Sequence, residues 1–564
     1  MQQRLWVMAG GLASLLAAAC TKDVRLGPPL APCTATGGGP VSQSYATLTV
    51  VDPTQTAGCA VFPDNTTGAA IEYLLLAQSA SVRDNDSSTF RLYGAIPAIA
   101  APRALASAAV PASPAPAPGA QERFDLMLRR TEQELTLSLG PPPRPQAAPR
   151  IAAAPPLGDV RQFKVCGDTL CLTHPLVKAT AKTVGARIVI YVDSTDIKSG
   201  DTLGTADLAS FAALFDTLLY PADTAAFGRE SDIDHNGVVI VLMTGKVDAL
   251  APKPCNGTYI AGYFYGGDLL LGYKGGNNAE IFYSMVPDPL AKLSCIAHSV
   301  SDVKNGVPGT FIHEFQHMIS FNQHYLLRGG NSEELWLNEA MSHYAEELGG
   351  RLFTPGDSVR FCHFTWRDLF DAGLYFSNPE QYFVVEGAGT GGLGNRGAYW
   401  LFLRFLVDRF ASDTSIAAAN VVTRMLDSTR LTGAANVVHV TSTPFATLVE
   451  HWGLANYLSD RPGFPTPSEL QYAKWRFRTD FRALNVRCQA LGVPNGIPFA
   501  YPLVPDSGAG ETLNLSGVLR AGTATYFLAQ QAAGAAGFTL LFSDGSGRAL
   551  RTGLAPRLNV IRIQ

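Results

Sequence analysis

Phe311-Ile312-His313-Glu314-Phe315-Gln316-His317-Met318-Ile319 contains H-E-x-x-H, and this stretch decides how the rest of the chain is read. On a helix, residues four apart share a face, so the imidazoles of His313 and His317 can reach one metal ion. Glu314 is turned by about 100° from His313 and about 60° from His317. It therefore flanks the metal face, placed to touch a water on the metal rather than the metal itself. Phe311, Ile312, Phe315, Met318 and Ile319 surround this strip with apolar surface, as a buried helix requires.

Two imidazoles leave a third protein donor to be found. The extended form H-E-x-x-H-x-x-G-x-x-H fails here, because Ser320 and Gln323 stand where glycine and histidine are needed. His324 shares the face of His317 but sits about 10 Å further along an unbroken helix. Glu339 belongs to Glu334-Leu335-Trp336-Leu337-Asn338-Glu339-Ala340-Met341-Ser342-His343-Tyr344-Ala345-Glu346, beyond the loop Arg328-Gly329-Gly330-Asn331. That loop lets a second helix return beside the first. From the residues alone, His324, Glu339 as donor and Glu339 as a plain surface carboxylate all remain open.

The pair H-E-x-x-H and W-L-N-E-A-x-S-x-Y resembles the gluzincins, zinc metallopeptidases that use two histidines and a glutamate. H-E-F-Q-H with L-N-E-A-M-S-H-Y-A-E-E-L is most similar to the secreted bacterial hyicolysin-type family. The specific motifs occupy residues 313–346, within a likeness expected over about 160–460. The resemblance implies Zn²⁺ on His313, His317 and Glu339, with Glu314 as catalytic base. It implies an endopeptidase that hydrolyses peptide bonds in a protein or peptide substrate through a metal-bound water. It also implies a zincin-type catalytic domain, a mixed sheet with an active-site helix and a mainly helical C-terminal lobe. His343 stands where thermolysin-like members carry an aspartate that orients a ligand histidine. Either Glu346 takes that role one turn on, or His343 faces substrate. The aminopeptidase tyrosine of Y-x-K-G-A has no counterpart in Gly394-Asn395-Arg396-Gly397-Ala398-Tyr399, where glycine holds its place. Tyr399, Tyr344 and His343 are the candidates for stabilising an oxyanion, with core packing the alternative for each. The exopeptidase signature G-x-M-E-N is absent.

The chain has 564 residues with 47% apolar and only 16% charged side chains, enough for more than one core. A net charge of −4, with no basic field, gives nucleic acid nothing to bind. Met1–Cys20 reads as a signal peptide. Leu15-Leu16-Ala17-Ala18-Ala19-Cys20 resembles a bacterial lipobox, which makes Cys20 a lipid anchor of a cell-envelope protein; ordinary cleavage and secretion are the alternative. The eight remaining cysteines point to disulfides in an exported chain, expected between neighbours as Cys33–Cys59, Cys166–Cys171, Cys255–Cys295 and Cys362–Cys488.

Strand patterns in the front half and helical stretches behind them predict an α+β protein. The expected division is a signal peptide over 1–20, an N-terminal β-sandwich-like module over 21–94 and an Ala/Pro-rich linker over 95–156. The zinc metallopeptidase domain follows over 157–490 and a C-terminal β-module over 491–564. Within the linker, Gln121–Leu139 has helical spacing and either docks on the next domain or stays loosely ordered. Asp232-Ile233-Asp234-His235-Asn236-Gly237 opens like a Ca²⁺ loop, although Met243 replaces its closing glutamate. An Asx turn around Asp232, Asp234 and Asn236, feeding the next strand, is the stronger expectation. The rival to an enzyme is a surface-binding lipoprotein whose zinc site is vestigial.

Overall fold

The computed structural model describes residues 30–31, 33, 38–95, 117–142, 153–194, 202–251, 259–353, 358–387, 392–411, 421–493, 496–508 and 512–564. The signal peptide and Cys20 lie outside them. So does Cys255, although Cys295 is disulfide-bonded. Cys33–Cys59, Cys166–Cys171 and Cys362–Cys488 are bridged as expected.

The chain is mixed α+β. Its first strands are β1 (Gly39–Pro40), β2 (Leu48–Val51), β3 (Cys59–Phe62), β4 (Ile71–Ser79) and β5 (Ser87–Ala95). Then comes α1 (Ala120–Leu139), followed by β6 (Val160–Lys164), β7 (Leu176–Val184) and β8 (Ile188–Asp193). Helices α2 (Thr205–Leu214) and α3 (Tyr220–Phe227) lead to β9 (Val239–Met243), α4 (Gly245–Asp248), β10 (Gly262–Phe264) and β11 (Ile281–Ser284). The helical half holds α5 (Val300–Phe321), α6 (Leu335–Arg351), α7 (Ser358–Ser377), α8 (Leu393–Phe410), α9 (Val421–Leu426), α10 (Gly433–Thr441), α11 (Phe445–Leu458) and α12 (Phe477–Ala490). The chain ends in β12 (Asp506–Gly508), β13 (Thr512–Arg520), β14 (Ala524–Gln531), β15 (Phe538–Asp544) and β16 (Pro556–Arg562).

Two separate β-modules, one at each end, were expected; the strands instead form one sandwich from both ends of the chain. One sheet runs β1-β3-β15-β5-β13 and the other β12-β14-β4-β16-β2. Leu92 of β5 pairs with Leu515 of β13, and Leu75 of β4 with Phe527 of β14 and Val560 of β16. All nine residues of β4 are buried. The twofold period of a strand explains this. Tyr73, Leu75 and Ala77 face the sandwich interior, while Leu74 and Leu76 join the core of the helical half. Gln78 fixes that second contact, its Nε2 donating to the Val449 carbonyl of α11 at 2.8 Å.

A third sheet, ordered β10-β11-β9-β8-β7-β6, lies beneath the site helix α5. Its β11, β9 and β8 are parallel, and β10 closes one edge antiparallel to β11. Phe311 of α5 packs edge-on against Phe282 of β11 and Phe211 of α2, with ring centroids 5.2 and 5.8 Å apart. The open side of β10 is covered by α1, so the helix docks. Gln121 accepts from Ala261 N–H and donates to the Gly262 carbonyl, at 2.8 and 3.0 Å. Arg129 donates to the Phe264 carbonyl at 2.7 Å, and Glu132 accepts from Gly266 N–H at 2.7 Å. These side chains pair backbone groups that an edge strand otherwise leaves free. Phe124 and Leu128 are buried on the same face of α1, Phe124 edge-on to Tyr263 of β10 with ring centroids 5.2 Å apart.

Candidate metal centre

The site is built on two adjacent helices. Ser299 starts α5 with a capping box, its Oγ accepting from Asp302 N–H while Asp302 accepts from Ser299 N–H. From Phe311 to Phe321 every residue of α5 is buried. After Phe321 the chain turns through Gly329, which holds φ +64°, and α6 returns alongside.

His313, His317 and Glu339 each offer a ligand atom within 4.8 Å of the other two. The Nε2 atoms of His313 and His317 lie 3.7 and 3.6 Å from the two Glu339 oxygens. Both oxygens are buried and neither has a hydrogen-bond partner. The other imidazole nitrogens are already engaged. His313 Nδ1–H donates to Glu346 Oε1 at 2.8 Å. Ser342 gives its proton to Gln316 Oε1 at 2.6 Å, so its Oγ accepts from His317 Nδ1–H at 3.0 Å. Both tautomers leave Nε2 unprotonated on the side of Glu339, with Ser342 Oγ also 3.3 Å from His317 Nε2. A buried carboxylate without a hydrogen bond, facing two imidazole nitrogens, is a donor set that fits a zinc ion.

Electrostatics agree with that fit. Burial holds His317 well below its usual range, helped by the charges of Arg129 and His313. Burial alone would raise Glu339, but Arg396, His313 and His343 outweigh it and keep the carboxyl ionised. Arg396 Nη1 stands 3.3 Å from Glu339, and its Nη2 donates to Asp125 of α1 at 2.7 Å. Burial would lower His313, but the Glu346 hydrogen bond and the charges of Glu314 and Glu339 bring it up to about 9. A metal at this nitrogen set would take the place of that proton. Burial pushes Glu314 up to about 8.

Of the three donors His313 lines a cleft of about 440 Å³, together with Glu314, His343, Glu346, Trp366 and Arg396 among others. Part of this chain is similar to a metalloprotease. The neutral metalloprotease ShpI of Staphylococcus hyicus is 31% identical over 135 residues, which are 24% of this chain. The chain covers 29% of that relative's length. It matches no protein-family model.

The remaining candidates divide. His343 lies against the cleft, its ring 5.1 Å from that of His313. Its Nδ1–H donates to Asp368 Oδ1 at 2.9 Å, and its buried Nε2 has no partner. Tyr399 does not reach the site: it is 1% exposed and its hydroxyl donates to the buried Glu386, in the segment that precedes α8. Tyr344 is also core, packed on Phe227 beneath the Arg404 guanidinium. His324 joins a separate buried group, 3.3 Å from Asp427 and 3.7 Å from Glu333. The loop at Asp232 makes Asx-type bonds: Asn236 Oδ1 accepts from Val238 N–H and Asp234 Oδ1 from Asn236 N–H. Sequence reading missed Asp125 and Arg396. Arg396 opens a helix that is otherwise largely apolar, which was an available signal that a buried partner exists, whereas Asp125 stands among the charged residues of α1 and gave none.

Proposed function

We propose that the chain is a zinc-dependent endopeptidase of the gluzincin kind, most like the hyicolysin-type family, with a zincin-type catalytic domain. The observation that carries this reading is the buried carboxylate of Glu339, ion-paired with Arg396 but without a hydrogen bond, facing the Nε2 atoms of His313 and His317. The partial likeness to a neutral metalloprotease supports it. In this reading His313, His317 and Glu339 hold zinc. Zinc, when bound, supplies a Lewis acid that polarises a scissile carbonyl and acidifies water. Glu314 takes a proton from the attacking water and passes it to the leaving amine. Glu346 and Ser342 fix the two imidazoles, and Arg396 keeps Glu339 anionic. His343 lines the cleft; with Nδ1–H given to Asp368, its Nε2 accepts in the neutral ring and donates to an oxyanion only when the ring is protonated. Export, with Cys20 as lipid anchor, belongs to the same proposal; the disulfides suit an oxidising compartment. The test is hydrolysis of casein and furylacryloyl peptides by the purified full chain, with phenanthroline and then zinc restored. Turnover that phenanthroline abolishes and zinc returns is expected. A zinc-loaded chain that cleaves neither substrate would favour the vestigial-site alternative.

A further inference from the structure

A second group of oxygen donors lies away from the cleft, in the loop that joins α3 to β9. Asp232 and Asp234 stand in that loop, and Glu280 reaches them from the residue before β11. One carboxylate oxygen from each lies within 4.8 Å of the others. Glu280 is only 2% exposed. Its Oε1 accepts from Ser231 O–H and Ile233 N–H at 2.5 and 2.8 Å, which fixes the side chain against the loop. Its Oε2 is buried with no hydrogen-bond partner. A buried carboxylate oxygen without a donor is costly unless a cation or proton meets it. Burial and the charge of Asp234 push Glu280 up to about 7, and burial with the charge of Asp232 raises Asp234.

We propose that Asp232, Asp234 and Glu280 form a calcium site, with Glu280 supplying from the residue before β11 the carboxylate that the loop lacks at Met243. The donors are all oxygen, which selects a hard cation over zinc. The loop is irregular and the third carboxylate comes from elsewhere in the chain. That suits the flexible coordination of Ca²⁺ better than the strict octahedron of Mg²⁺, with carbonyls and water completing the shell. Bound calcium would tie the loop to β11. The same connection carries Arg229, whose carbonyl accepts from Asn322 and Gln323 just beyond α5. Calcium would therefore brace the far end of the site helix without touching the cleft.

The test uses the full chain, zinc-loaded, freed of calcium and titrated with CaCl2 by calorimetry. One calcium per chain is expected, with a Kd of about 10⁻⁵ to 10⁻³ M and a Tm that rises in about 5 mM CaCl2 but not in MgCl2. Glu280→Gln and Asp232→Asn should each weaken binding at least about tenfold. Glu280 is buried, so its variant risks the fold; Asp232 is exposed and keeps the test decisive. No binding by the wild-type chain up to about 10 mM, or full affinity retained in Asp232→Asn, overturns the proposal. Neither readout depends on peptide hydrolysis.

Discussion

Glu346 Oε1 is shared by two imidazoles, 2.8 Å from His313 Nδ1 and 3.3 Å from His343 Nδ1. Only the first of these rings turns its other nitrogen to Glu339. A carboxylate behind a ligand histidine fixes its tautomer and raises its basicity, and losing it typically costs about 10–100-fold in metal affinity. Glu346→Gln should therefore weaken zinc binding by about that factor. His343→Ala should leave zinc affinity nearly unchanged while lowering kcat. Chelator-competition titrations beside peptide turnover separate the two. Equal zinc loss in both variants would mean that the rings act as one unit.

Glu314 and Glu339 should part company under amide substitution. Glu314→Gln keeps volume and hydrogen bonding but cannot take a proton, so zinc should stay near one per chain while kcat falls about 10²–10⁴-fold. Glu339→Gln removes the anionic donor between the two Nε2 atoms. Zinc affinity and turnover should fall together, with excess zinc restoring part of the activity. Atomic absorption on dialysed variants decides. Zinc lost from Glu314→Gln would reverse the roles.

The metal group was legible because its signal is local. Four-residue spacing puts His313 and His317 on one face, and a short loop brings Glu339 back. Glu346 was visible only as an alternative to His343, because helical periodicity places a residue on a face without saying which carboxylate reaches an imidazole. Tyr399 was misread for the same reason: its place in a motif-like run says nothing of its direction, which is inward to Glu386. The composite sandwich left no mark at all. Pairing of Leu92 with Leu515 depends on the fold between them, and alternating apolar residues suit a self-contained module equally well. The helix α1 was legible inside the linker from its spacing, but nothing in that spacing said that its polar side chains close the β10 edge.

That closure can be tested at one residue. Gln121 uses both ends of its amide on adjacent backbone groups of the Ala261–Gly262 segment. Gln121→Ala leaves an N–H and a carbonyl unpaired, at a cost of about 1–3 kcal/mol. Hydrogen exchange at the Ala261 amide should speed up markedly, while exchange in the central strand β9 stays slow. Unchanged exchange at Ala261 would mean that other contacts of α1 suffice to cover the edge.

Asp288 gives the chain a defined acid sensitivity. Burial works to raise its carboxyl, but the N–H groups of Ser294, Lys292 and Leu293 outweigh it and hold it below the usual range. The bonds are 2.8–2.9 Å long. A depressed folded value means that folding favours the ionised form. The stability it contributes is fully present above the unfolded value of about 3.9 and is lost as pH falls through the folded value. Asp288→Ala should thus cost about 1–3 kcal/mol at pH 7, with the gap to wild type closing below about pH 4. Denaturant unfolding at several pH values measures this. A gap that persists unchanged at about pH 3 would assign the cost to packing rather than charge.

The sandwich makes the two ends of the chain a single folding unit. β4 lies between β14 and β16, and β5 between β13 and β15. Deleting 496–564 would strip both neighbours from each of these strands and uncover the sandwich face of β4. Tyr73, Leu75 and Ala77 would lose their cover, and the unpaired strand edges would invite pairing between chains. The helical half would suffer as well, because Leu74 and Leu76 of the same strand belong to its core. The truncated chain should aggregate or unfold without a cooperative transition, even though every residue of the metal group remains. Adding residues 496–564 in trans as a separate chain should rescue it in part, since the missing strands pair through backbone bonds rather than through a covalent link. A truncated chain that melts cooperatively near the wild-type Tm would show that the front strands stand alone and that the pairing between the two ends adds little stability.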